Sequence, residues 1–136
     1  EKAGAAAKAV TQGAPLTSIN TEKWTTHHWL YFLRELRGNV DVQKMSELDK
    51  KFGFTNSGNA EIQCEWYQLS IAANYTAAFP NMEKFLISVG RRKFIKPIYI
   101  ALSKNPENLA LARKIYAKAR PGYHAVAVQT MDEILK

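Results

Sequence analysis

A single cysteine in 136 residues has nothing to pair with, so Cys64 makes no internal disulfide. With only three histidines, at positions 27, 28 and 124, no Cys/His zinc cluster can be assembled. A disulfide scaffold and a zinc finger are both excluded. No apolar run approaches the roughly 18 residues that a membrane span requires, and Glu1-Lys2-Ala3-Gly4-Ala5 lacks the apolar centre of a signal peptide. Catalytic signatures are missing too: there is no H-E-x-x-H, no G-x-S-x-G, no Walker loop and no G-x-G-x-x-G. The chain opens without an initiator methionine, which leads us to expect a fragment of something longer, or a chain trimmed of a tag or propeptide.

What is present points to one folded domain. Hydrophobic residues make up 46% of the chain, enough for a core and too much for disorder. Lysine and arginine outnumber aspartate and glutamate by 19 to 12, a net charge of +7 without the long Lys/Arg runs of a dedicated nucleic-acid binder.

The apolar periodicity is helical almost throughout. Gly13-Ala14-Pro15 breaks an Ala-rich opening, and residues 1–20 are expected to be a linker or remnant helix. Thr25 or Thr26 can cap a helix carrying Trp29, Phe32, Leu33 and Leu36 on one face, with Gly38-Asn39 as its stop. A second helix is predicted from Asp41 as cap to Phe52, closed by Gly53. Turn chemistry over 55–59 leads into a third with Ile62, Trp66, Leu69 and Ala73 on one side. Thr76 then reads as a cap, Pro80 fits a first turn, and Ala78, Met82, Phe85, Leu86 and Val89 form a buried stripe ending at Gly90. Residues 94–100 carry the highest β-propensity. Pro97 argues against a central strand there and fits the first turn of a short helix ending near Ser103. Asn105-Pro106-Glu107 starts a helix that should run to Pro121-Gly122, and Thr130-Met131-Asp132-Glu133 reads as a last capping box. The expectation is an all-α chain of about seven to eight antiparallel helices, either an armadillo/HEAT-like superhelix or an irregular bundle.

Few residues offer chemistry. His27 and His28 are adjacent, about 100° apart on a helix, whereas metal ligands at i and i+4 share a face; a pair in a capping turn is the plainer reading. His124 has no nucleophile or carboxylate beside it in sequence and reads as structural, and Cys64 reads as a buried, inert thiol. The tryptophans and tyrosines sit at helical spacing among apolar residues, so core packing explains most of them better than base stacking does.

The segment that stands apart is Gly90-Arg91-Arg92-Lys93-Phe94 followed by Lys96-Pro97. From Glu83 to Lys104 there are six Lys/Arg residues against one acid. One reading is a solvated basic turn. The other is an anion site, in which an arginine fork grips a carboxylate bidentately and a lysine adds a point charge. Arg91 and Lys93, two apart across a turn, are the candidates to converge.

These residues carry a resemblance. Asn59-Ala60-Glu61-Ile62 with Trp66, then Gly90-Arg91-Arg92-Lys93-Phe94 with Lys96-Pro97, resemble the N-x-E-I-x-x-x-W and G-R-x-K-F-x-[RK]-P patterns of the C-terminal domain of the leukotriene A-4 hydrolase and aminopeptidase B family of zinc aminopeptidases. The likeness runs from about Thr25 to Val128, and departs at Ala125, where the family often has proline after the histidine. It implies an armadillo or HEAT-like helical domain, residues 1–136 here, packed against a separate catalytic domain that carries H-E-x-x-H and the zinc. It implies no metal or cofactor and no hydrolysis in this domain alone. Arg91 would bind the substrate carboxylate with Lys93 assisting, while Arg92 fills the variable position and points elsewhere. The parent chain would be a cytoplasmic metallo-aminopeptidase. A basic helical module for nucleic acid or for another protein is the alternative, predicting steep salt dependence in the first case.

Overall fold

The computed structural model describes residues 8–9, 24–36, 40–89 and 91–135, and the regular structure among them is helical. Among the described residues from Thr26 onward, seven α-helices follow one another: α1 Thr26–Leu36, α2 Val42–Phe52, α3 Ala60–Ala73, α4 Phe79–Ser88, α5 Arg92–Ser103, α6 Pro106–Ala119 and α7 Ala125–Ile134. Short 3-10 turns at Phe54–Asn56, Thr76–Ala78 and Arg120–Gly122 join some of them. The chain divides into two compact units, Glu1–Thr76 and Ala77–Lys136. In the first, α3 packs on α1 and α2; in the second, α6 packs on α4 and α5, and α5 also on α7. Helices that touch the next helix and the next but one are the armadillo/HEAT-like pattern expected from the sequence. The expected remnant helix at 1–20 and the Gly38-Asn39 stop lie outside the described residues, Lys8 and Ala9 apart.

Caps fix the helix ends where short polar side chains were read. Asp41 accepts from the Lys44 N–H at 2.9 Å to start α2, and Gly53, at φ 66°, ends it with its N–H on the Asp49 carbonyl. That left-handed conformation is cheap only without a Cβ. Asn59 starts α3, its Oδ1 accepting from Glu61 N at 2.9 Å and Ile62 N at 3.3 Å, while its Nδ2 donates to Thr26 Oγ1 of α1 at 3.2 Å. Asn105 repeats the cap for α6, with Pro106 in its first turn.

The first unit is held by an aromatic chain. Trp29 meets Trp24, Phe52 and Phe54 with ring centroids 4.7, 5.0 and 5.5 Å away, and Phe54 meets the fully buried Trp66 at 4.8 Å. Contacts of this geometry add about 0.5–1.5 kcal/mol each beyond the area they bury. Trp24 Nε1 is buried there without a hydrogen-bond partner among the described residues, whereas Trp66 Nε1 donates to Thr55 Oγ1, Thr55 donates through both N and Oγ1 to the Asp49 carboxylate, and Tyr75 OH donates to Asp49 as well. In the second unit Tyr123 plays the corresponding part, its buried hydroxyl donating to the Leu86 carbonyl and meeting Tyr99 OH at 3.0 Å.

Three boundaries depart from the sequence reading. Thr76 lies in a 3-10 turn and does not cap α4, which begins at Phe79 with Pro80 in its first turn. Helix α5 begins at Arg92, so Pro97 sits in its interior. The stripe Phe94, Ile95, Ile98, Tyr99 and Leu102, all buried, outweighs the one N–H that proline removes. Thr130 is no cap either: its Oγ1 donates back to the Val126 carbonyl inside α7, which starts after His124, where Pro121-Gly122 has already broken the preceding helix.

Candidate functional site

The basic segment folds as the entry to α5. Arg91 takes an extended conformation, φ −74° and ψ 119°, and its carbonyl accepts the first helical bonds, from Phe94 N at 2.9 Å and Ile95 N at 3.1 Å. The N–H groups of Arg92 and Lys93 therefore precede the first of these bonds and face the positive end of the helix. No side chain caps this end, and the first turn holds no acid. Phe94 is 8% exposed, anchored in the apolar stripe that faces α6 and α7.

Its ring brings the two candidates together. Arg91 Cζ lies 5.5 Å from the Phe94 centroid and Lys93 Nζ 5.6 Å from it. Both residues are exposed, and among the described residues neither is paired with a carboxylate. Arg92 goes elsewhere, donating from Nη1 to Thr130 Oγ1 on α7 at 3.4 Å, and Lys96 is exposed one turn further along α5. Cations at a helix N-terminus oppose the dipole by about 0.3–1 kcal/mol each, so guanidinium, ammonium and backbone dipole all place positive charge at this end of α5. The wider field has the same sign. Glu1–Thr76 carries eight cations and eight acids, whereas Ala77–Lys136 carries eleven cations against four acids, so the whole +7 excess lies in the second unit.

The other candidates fall to structural roles. His28 Nδ1 accepts from the Thr25 N–H at 3.0 Å and lies 2.9 Å from Thr25 Oγ1, the reciprocal half of a cap on α1. His27 is exposed on the rim of an open groove of about 260 Å³ shared with Leu30, Tyr31 and Arg34. His124 precedes α7 without a side-chain capping bond, and Cys64 is buried with Gln68 Nε2 3.4 Å from its Sγ. Trp66, Tyr67, Tyr75, Tyr99, Tyr116 and Tyr123 are buried and open no stacking platform. Sequence reasoning missed Phe94 as the shared support and Thr130 as the partner of Arg92. The place of Phe94 directly after Lys93 was the available signal for the first; nothing in sequence marks the second.

The family model described as leukotriene A4 hydrolase, C-terminal, matches residues 24–135. The chain belongs to that family. Among relatives of this leukotriene A4 hydrolase C-terminal domain, Leucine aminopeptidase 2 of Neurospora crassa is 30% identical over 115 residues, covering 82% of this chain and 17% of that protein. Leucine aminopeptidase 2 of Chaetomium globosum is 27% identical over 119 residues, with 85% and 19% covered. Aminopeptidase B of Mus musculus is 27% identical over 126 residues, with 88% and 19% covered. The chain thus spans about a fifth of the length of these curated relatives.

Within this family member the two motifs do different work. Asn59 caps α3 and ties it to α1, and Trp66 fills the core of the first unit; both are buttresses. Arg91 and Lys93 project from the second unit. Among the described residues no three His, Cys, Asp or Glu side chains gather in a cluster. No helix among the described residues is long and apolar enough to cross a membrane.

Proposed function

We propose that this chain is the non-catalytic C-terminal domain of a zinc aminopeptidase, packed on the catalytic domain of the same parent, and that Arg91 and Lys93 bind the carboxylate of the peptide substrate. The observation that carries the reading is the pair of exposed cations on one buried ring, with no carboxylate partner among the described residues, at a helix N-terminus without an acid. Support comes from the relatives, named as aminopeptidases, of which this domain spans about a fifth. Zinc on the missing domain would polarise the scissile carbonyl and activate water. This domain would add position: Arg91 offers a planar fork, Lys93 a point charge, and a carboxylate held between them fixes how far the peptide reaches toward the metal. In this reading the isolated domain hydrolyses nothing, and the parent is cytoplasmic.

Removing one charged hydrogen-bond partner costs about 1.5–3 kcal/mol, so Arg91→Ala in the complete protein should lose on the order of 10- to 100-fold in kcat/KM. A variant equal to wild type would end the assignment. One observation favours a second reading, a basic module for nucleic acid: the excess charge is confined to Ala77–Lys136. That reading requires binding whose logarithm falls steeply with log salt, and a flat response excludes it.

A further inference from the structure

We infer that Phe94 is the positioning residue of the carboxylate site, holding Arg91 and Lys93 in one orientation through its ring; this rests on the carboxylate-binding role proposed above. Long cationic side chains on a surface sample many rotamers, and a site that leaves them free loses that freedom when ligand binds. An ion pair would fix them, but it would also consume the charge and the N–H donors that the ligand needs. A ring face fixes a cation by quadrupole attraction and leaves its donors and net charge available.

The geometry matches that requirement on three counts. Both cations lie at nearly equal distance from one centroid, 5.5 and 5.6 Å. The ring itself is immobilised, 8% exposed within the buried stripe of α5. The neighbouring Arg92 is tied off to Thr130 and does not compete for it. Phe94 also closes the first turn, its N–H on the Arg91 carbonyl, so ring and cap residue are set by the same backbone.

The experiment compares the complete protein with Phe94→Leu, Phe94→Tyr and Arg91→Ala variants on a tripeptide with a free carboxylate and on an aminoacyl arylamide without one. A cation–ring contact at an exposed site corresponds to about two- to fivefold in affinity, so Phe94→Leu, which removes two such contacts, should raise the tripeptide KM, relative to the arylamide KM, by about 4- to 25-fold. The tripeptide kcat should change far less. Phe94→Tyr, which keeps the ring, should restore the wild-type ratio. Thermal unfolding of each variant establishes that it is folded. If Arg91→Ala shifts the KM ratio while Phe94→Leu does not, or if Tyr fails as Leu does, the ring is a core filler and the inference is overturned. If Arg91→Ala leaves the ratio unchanged, the carboxylate reading itself falls and takes this inference with it.

Discussion

Replacing Asn59 by alanine separates the structural motif of this domain from its binding motif. The side chain has two jobs: Oδ1 caps α3 by accepting from Glu61 N and Ile62 N, and Nδ2 donates to Thr26 Oγ1 on α1. Loss of an N-cap costs about 1 kcal/mol, and loss of a neutral hydrogen bond between helices about 0.5–1.5 kcal/mol. Asn59→Ala should therefore destabilise by roughly 1.5–2.5 kcal/mol, lowering the urea midpoint by about 1 M for a chain of this size. Thr26→Val keeps the cap and removes only the tie, so it should cost about 0.5–1.5 kcal/mol. The two variants share one interaction, and the double variant should cost less than their simple total by that amount. Urea unfolding followed by circular dichroism measures all four proteins. A cost below about 0.5 kcal/mol for Asn59→Ala, or full additivity in the double variant, would refute the argument that this asparagine joins two helices.

Two further outcomes follow from the buried tyrosines. Tyr123→Phe strips a hydroxyl that donates to the Leu86 carbonyl and meets Tyr99 OH, and should cost about 1–3 kcal/mol in urea unfolding because both partners stay buried; an unchanged midpoint would contradict the network. Tyr75 and Tyr116 are each pushed up to about 12, first by burial and then by donation to Asp49 and Asp132. Their folded-state values exceed the unfolded value of about 10, so the stability they confer is intact below about pH 10 and is lost as pH rises toward 12. Thermal unfolding between those limits should show a falling midpoint, blunted in Tyr75→Phe and Tyr116→Phe; equal slopes in all three proteins would contradict the assignment.

Local chemistry was readable wherever one residue decides the outcome. Asp41, Gly53 and Asn105 mark helix ends because a carboxylate, a missing Cβ or an amide does so regardless of tertiary context. Phe32, Leu33 and Leu36 were recognisable as core from spacing alone, and all three are buried. Where the outcome depends on packing, sequence misled. Pro97 signals a helix start, yet five buried apolar residues around it carry α5 straight through. Thr130 signals a cap, yet Ala127 and Met131 bury one face of a helix that had already begun. At the candidate site, Arg91 and Lys93 were found through their motif; the ring that they share follows Lys93 directly in sequence, but its role as their common support depends on α5 starting at Arg92 and burying Phe94.

The carboxylate clamp proposed for the second unit rests on Arg91. Its most direct measurement is the cleavage of one tripeptide as its free acid and as its C-terminal amide, by the complete protein and by its Arg91→Ala variant. With such a clamp, wild type prefers the acid by about 10-fold or more and Arg91→Ala erases most of that preference by losing on the acid alone. Equal rates on acid and amide in the wild type, or a preference that survives Arg91→Ala, would contradict it.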